Sequence, residues 1–141
     1  MKLQDGASSG LDDVFEQEDP RSAQFRVFNP VKVSGHIKYT VSGVDADGPF
    51  EEARRFSEFF ALYAALTARW PGVYIPAIPE KKLVGNKDDK FVEERRAMLE
   101  RFMKEVAKFD YLTNSREFKV FTRERGEIEK TLNNMLKQTP L

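Results

Sequence analysis

Apolar and polar positions begin to alternate at Phe25 and continue to about Phe56. Phe25 and Val27, then Val31 and Val33, alternate with polar neighbours, and Pro30 interrupts the ladder as at a sheet edge or a bulge. Ile37, Tyr39 and Val41 line one face of a second strand. The segment SGVDADGP supplies turn residues, and a third strand is expected from about Phe50 to Phe56. Three strands in series with short links predict an antiparallel meander.

At RRFSEF the period changes. Phe59, Leu62, Tyr63, Leu66 and Trp70 fall on one face of a helix, with Ser57 as the expected N-cap and Pro71-Gly72 as the stop. The connection PGVYIPAIPEKKLVGNKDD follows, about twenty residues with three prolines and no regular period. Loops of this length inside a compact domain are uncommon and often functional. A second helix is expected from about Lys90 to Phe109, capped by Asp89, with Phe91, Leu99, Phe102 and Val106 on one face. After a turn around TNS, a last helix carries Phe118 and Phe121, and Ile128, Leu132, Met135 and Leu136 continue a helical period. Strands first and helices after predict an α+β fold. The expected form is a three-stranded antiparallel β-meander packed on a helical subdomain of three to four helices, with the proline-rich loop between the first two.

Composition narrows the chemistry. The 141 residues suit one domain, and the absence of cysteine removes disulfides, thiolate metal sites and a cysteine nucleophile. His36 stands alone, which excludes a multi-histidine zinc site, and it is assigned no role. No cofactor or metal is expected. No run approaches a membrane span and no basic-then-apolar leader opens the chain, so a soluble, reducing, cytoplasmic setting is the expectation. A formal charge of zero conceals an asymmetry: residues 1–20 carry a net −5, and the remainder, with 22 basic and 17 acidic residues, a net +5. Residues 1–22 are expected to be an acidic, disordered tail ahead of a folded body at 23–123 and an amphipathic helical extension at 124–141. The mixed charge of that body does not suit nucleic acid.

Catalysis finds little support. Asp88-Asp89 and Glu93-Glu94 are adjacent carboxylates, which do not converge on one site along a helix, and phosphate-loop and nucleophile motifs are missing. The chain is expected not to be an enzyme. The anomaly is cationic. Arg95 falls in line with the apolar stripe of Phe91 and Leu99, a costly place for a guanidinium unless an anion or an internal carboxylate answers it. Arg96 falls on the flank, within reach of water. Arg55 ends a strand beside the aromatic Phe56, and Lys81-Lys82 follow the prolines. An arginine fork suits phosphate bidentately, and lysine acts as a point charge. Arg54 alternates to the opposite strand face, where solvent or a neighbour such as Glu52 is the expected partner.

The ordered set RRFSEF, a helix ending in WPG, IPAIPEKK, and FVEERRAMLERF resembles the phox-homology (PX) domain over about residues 24–123, and EKKxxGN with FVEERR looks most like the sorting nexins. The resemblance implies recognition of phosphatidylinositol 3-phosphate on endosomal membranes, by a peripheral protein acting in sorting. It implies Arg55 as the clamp on the 3-phosphate, Phe56 under the inositol ring, Lys81 at the 1-phosphate and Arg95 at the 4- and 5-hydroxyls. Many members carry tyrosine where this chain has Phe56. Leu83 and Val84, apolar in a polar loop, are the expected membrane-inserting residues, and Lys82 adds attraction to an anionic bilayer. Implied partners are membranes containing that lipid, sorting complexes or BAR-type domains. The alternative is a protein-interaction module that uses Pro76-Ala77-Ile78-Pro79 as an SH3 ligand, or the C-terminal helix.

Overall fold

The computed structural model describes residues 19–80 and 88–137. A helical turn, α1 (Pro20–Ala23), leads into β1 (Arg26–Val33), β2 (His36–Asp45) and β3 (Gly48–Arg55), which form one antiparallel sheet in the order β1-β2-β3. Then come α2 (Phe56–Arg69), the proline-rich segment, α3 (Asp89–Val106), the short α4 (Asp110–Thr113), α5 (Arg116–Arg123) and α6 (Ile128–Lys137). The α+β meander is as the sequence predicts. The interruption at Pro30 is a register shift between Phe28 and Val31, with Asn29 at a φ of 55°.

Three boundaries differ from expectation. The expected tail gives way to structure by Pro20, where Asp19 caps the turn and the Ser22 hydroxyl donates to the Lys104 carbonyl at 2.6 Å. Ser57 is not the cap of α2: the cap lies two residues earlier, at Arg55, and the helix begins at Phe56. Asp88, rather than Asp89, caps α3 by accepting the Phe91 N–H at 2.8 Å.

The core lies between sheet and helices. Phe25 stacks on Phe118 at 6.0 Å and meets Phe50 edge-on at 5.5 Å, while Phe59 meets Phe121 at 5.0 Å. Gly43 on β2 allows this closeness: a Cβ there would stand 2.8 Å from both Phe25 and Phe50. On the far side, α6 buries Ile128, Leu132 and Met135 against the domain.

The free edge of β1 is closed by side chains of α3. Glu100 accepts the Val27 N–H at 3.0 Å, and Arg96 donates to the Val27 carbonyl at 2.8 Å while pairing with Glu93. Arg96 therefore does not simply reach into water. It caps an edge that would otherwise present unpaired backbone groups.

Candidate functional site: a cationic corner where β3 meets α2

Arg55 is the last residue of β3 and stands opposite Lys38, which in turn stands opposite Val31, so the three form one row across the sheet. Like charges directly across a strand pair are unfavourable unless an anion compensates them. Neither the Arg55 nor the Lys38 side chain forms an ion pair with a described residue. The corner backbone itself is fixed: the Arg55 N–H donates to Glu58 Oε1 at 2.8 Å. Lys38 went unnoticed in the sequence because only strand register places it beside Arg55.

Arg95, on α3, faces the same corner. Its guanidinium carbon lies 3.8 Å from the Phe56 ring centroid and 4.7 Å from that of Phe91, a seat between two aromatic faces. One N–H donates to the Glu80 carbonyl at 3.3 Å. Among the described residues no carboxylate pairs with Arg95, so the internal partner that would have made it purely structural is not found there. Burial pulls the guanidinium below its ordinary value, and the Tyr39 hydroxyl opposes this. Burial likewise pushes the Tyr39 phenol up, with Arg95 opposing.

Phe56 departs from its expected picture. The ring is only 9% exposed and Arg95 covers one face, so a sugar ring reaches that face only where Arg95 yields it. Phe56 is the seat of Arg95 before it is a platform for anything else. Lys81, Lys82, Leu83 and Val84 lie outside the described residues, which resume at Asp88. Pro76 is buried and Pro79 half-buried, so this segment does not present its prolines as an SH3 ligand requires.

Arg54 is a correction. It is neither solvated nor paired with Glu52; it is 4% exposed. Its Nε donates to the Phe121 carbonyl at 2.7 Å, and its other nitrogens donate to the Ala53 and Glu124 carbonyls. Two of those acceptors close the C-terminal end of α5, where the last carbonyls lack helical partners and favour a cation. Glu52 pairs with Arg125 instead.

The corner thus gathers Arg55, Lys38 and Arg95 without an ion pair among the described residues, although the Glu58 carboxylate holds the Arg55 N–H. The PX domain family model matches residues 44–125, and the chain belongs to that family. Vacuolar protein sorting-associated protein vps5 of Schizosaccharomyces pombe is 43% identical over 68 residues, 48% of this chain and 12% of that protein. Sorting nexin-7 of Mus musculus is 29% identical over 144 residues, 99% of this chain and 36% of its own length. Sorting nexin-4 of Homo sapiens is 33% identical over 88 residues, 57% of this chain and 20% of its own length. The chain thus spans about a third or less of these relatives. A designed CISK-PX domain shares the fold with a TM-score of 0.64 at 23% identity, covering 71% of this chain and 98% of its own. The Vam7p PX domain does so with a TM-score of 0.56 at 21% identity, covering 73% of this chain and 93% of its own. Membership of that family supports a phosphoinositide-binding module, a class of domains that are generally not enzymes.

Proposed function

We propose that the corner holds the headgroup of phosphatidylinositol 3-phosphate and that the domain docks on endosomal membranes for sorting. The carrying observation is that Arg55 stands opposite Lys38 at the end of the sheet while Arg95 stacks on the next residue, Phe56, with none of the three in an ion pair among the described residues. Arg55 clamps the 3-phosphate through its fork, Lys38 adds charge from the neighbouring strand, and Arg95 bonds the 4- and 5-hydroxyls. Lys81, directly after Glu80, supplies the 1-phosphate contact. Phe56 backs the inositol ring as Arg95 shifts toward the hydroxyls.

The orientation on the bilayer follows from the β1–β2 hairpin. Pairing of β2 with β3 ends at Lys38 and Arg55, whereas β1 and β2 continue through Lys32–Ile37 and Val33–His36. Two further residues extend the hairpin by roughly 7 Å. Val31 and Val33 are 46% and 40% exposed there, with Lys32 between them. Apolar side chains flanked by lysine suit a lipid surface, and Leu83, Val84 and Lys82 contribute the same chemistry from the loop. No helix of the described residues is long and apolar enough to cross a membrane, and attachment is peripheral in this reading. Sorting complexes or BAR-type domains are the protein partners it implies.

Cosedimentation is the test. The chain pellets with vesicles containing phosphatidylinositol 3-phosphate and stays in solution with vesicles of phosphatidylcholine alone, and Arg55→Ala loses the difference. Pelleting of Arg55→Ala equal to that of the parent would rule out this pocket.

A further inference from the structure

The C-terminal helix α6 lies beyond the residues matched by the family, yet it reaches the motif at the site's corner. Glu129 Oε1 accepts a hydrogen bond from the Ser57 hydroxyl at 2.9 Å. Ser57 is the second residue of α2, two positions from Arg55. Within the corner the Glu58 carboxylate also holds the Arg55 N–H, and Arg95 covers the Phe56 ring. Beside the corner opens a cleft of about 670 Å³, bordered by Arg55 and Glu58 on one side and by Glu127, Lys130 and Asn133 of the C-terminal segment on the other. The Arg55 side chain thus borders open space, and its aim depends on how firmly the first turn of α2 is held. That turn is held from α6, which is itself anchored by buried Ile128, Leu132 and Met135.

We infer that Glu129 is a positioning residue for Arg55, acting through Ser57, so that docking of α6 sets the affinity of the phosphate site. The inference rests on the reading that Arg55 holds the phosphate. Coupling of this kind is reciprocal: whatever α6 docking does for the ligand, the ligand does for α6 docking. A helix that the family match does not include thereby becomes a control point on membrane attachment.

The sign of the effect separates positioning from simple electrostatics. Glu129 places a negative charge near a phosphate site, so on charge alone its removal by either Ala or Gln strengthens binding. Positioning makes the opposite prediction for Ala, because the acceptor for Ser57 is lost, while Gln keeps an acceptor oxygen and sheds the charge.

The experiment is calorimetric titration of the full chain with soluble dibutanoyl phosphatidylinositol 3-phosphate, each variant first shown to be folded by circular dichroism. Glu129→Ala is expected to weaken binding about three- to tenfold, as for one lost hydrogen bond. Glu129→Gln is expected to bind at least as tightly as the parent. Ser57→Ala removes the same bond from the other side and stands in if Glu129→Ala does not fold. The double variant is expected to lose less than the product of the single losses. Equal strengthening by Ala and Gln, no change in either, or fully multiplicative losses would overturn the inference while leaving the pocket intact. Failure of the parent chain to bind at all would instead overturn the pocket, and the inference with it.

Discussion

Arg95 rests on Phe56, its guanidinium carbon 3.8 Å from the ring centroid, and both belong to motifs that lie almost forty residues apart in the chain. The contact explains how a charge survives on an otherwise apolar helix face. The ring's negative face offsets part of the desolvation, worth on the order of 0.5 to 2 kcal/mol, and leaves the in-plane N–H groups at the edge, where one donates to the Glu80 carbonyl.

Arg95→Lys therefore tests planarity with the charge kept. A lysine cannot stack on Phe56 and donate as a fork at the same time. Headgroup affinity is expected to fall about tenfold, while the unfolding free energy changes by less than about 1 kcal/mol. Calorimetric titration and urea denaturation on the same preparation check the two halves. A variant that binds like the parent would remove Arg95 from the site.

The neighbours Arg54 and Arg55 are expected to fail in opposite ways. Arg54→Ala strips the donors from the Phe121 and Glu124 carbonyls in a buried position, and should cost about 2 to 4 kcal/mol of stability. The protein that remains folded should still bind the lipid. Arg55→Ala, at a half-exposed side chain without an ion pair, should leave the urea midpoint nearly unmoved, within about 0.5 kcal/mol, yet abolish binding. Swapped phenotypes would show that the two roles have been assigned the wrong way round.

The pattern of the chain carries the fold because each element obeys one period at a time: alternation through Val41, then a helical stripe from Phe59. It also isolates Arg95, since a charge inside an apolar stripe is visible without coordinates. It separates Arg54 from Arg55 by alternation but mistakes the environment of Arg54. Alternation turns Arg54 toward the core, and the carbonyls that satisfy it come from α5 and the residue that caps its end, 67 and 70 residues away. Lys38 and Glu129 are hidden for the same reason. Strand register and helix docking bring them to the corner, and neither is local in sequence. The edge clamp of Arg96 and Glu100 on Val27 likewise depends on where α3 lies across β1.

Val31 and Val33 supply a prediction that separates headgroup from bilayer. Val31→Asp or Val33→Asp places a carboxylate on the exposed hairpin. Vesicle binding should weaken by about tenfold or more, given roughly 1.5 to 3 kcal/mol for each fully buried apolar side chain, with soluble headgroup affinity largely retained. Leu83→Asp is expected to behave alike. Equal losses in both assays would place these residues in the pocket rather than against lipid.

The last prediction concerns acid stability and Asp45. Its carboxylate, 1% exposed, accepts from Lys119 at 2.9 Å and from Arg123 at 2.7 Å, tying the end of β2 to α5. Arg123 also donates to the Gly48 carbonyl at 2.9 Å, so the β2–β3 turn is held at both of its ends. Burial pushes this carboxyl up, but the hydrogen bonds from Arg123 and Lys119 outweigh it and hold the group below its ordinary value. A carboxyl depressed in the folded state adds stability that is fully present above its unfolded value, about 3.9. That contribution is lost as pH falls through the lower folded value. Asp45→Asn should thus cost about 2 to 3 kcal/mol at neutral pH, and the gap between variant and parent should begin to narrow as pH falls below about 4. Urea midpoints measured from pH 7 to pH 3 decide it: a gap that persists unchanged at pH 3 would mean that Asp45 stabilises the turn by shape and not by charge.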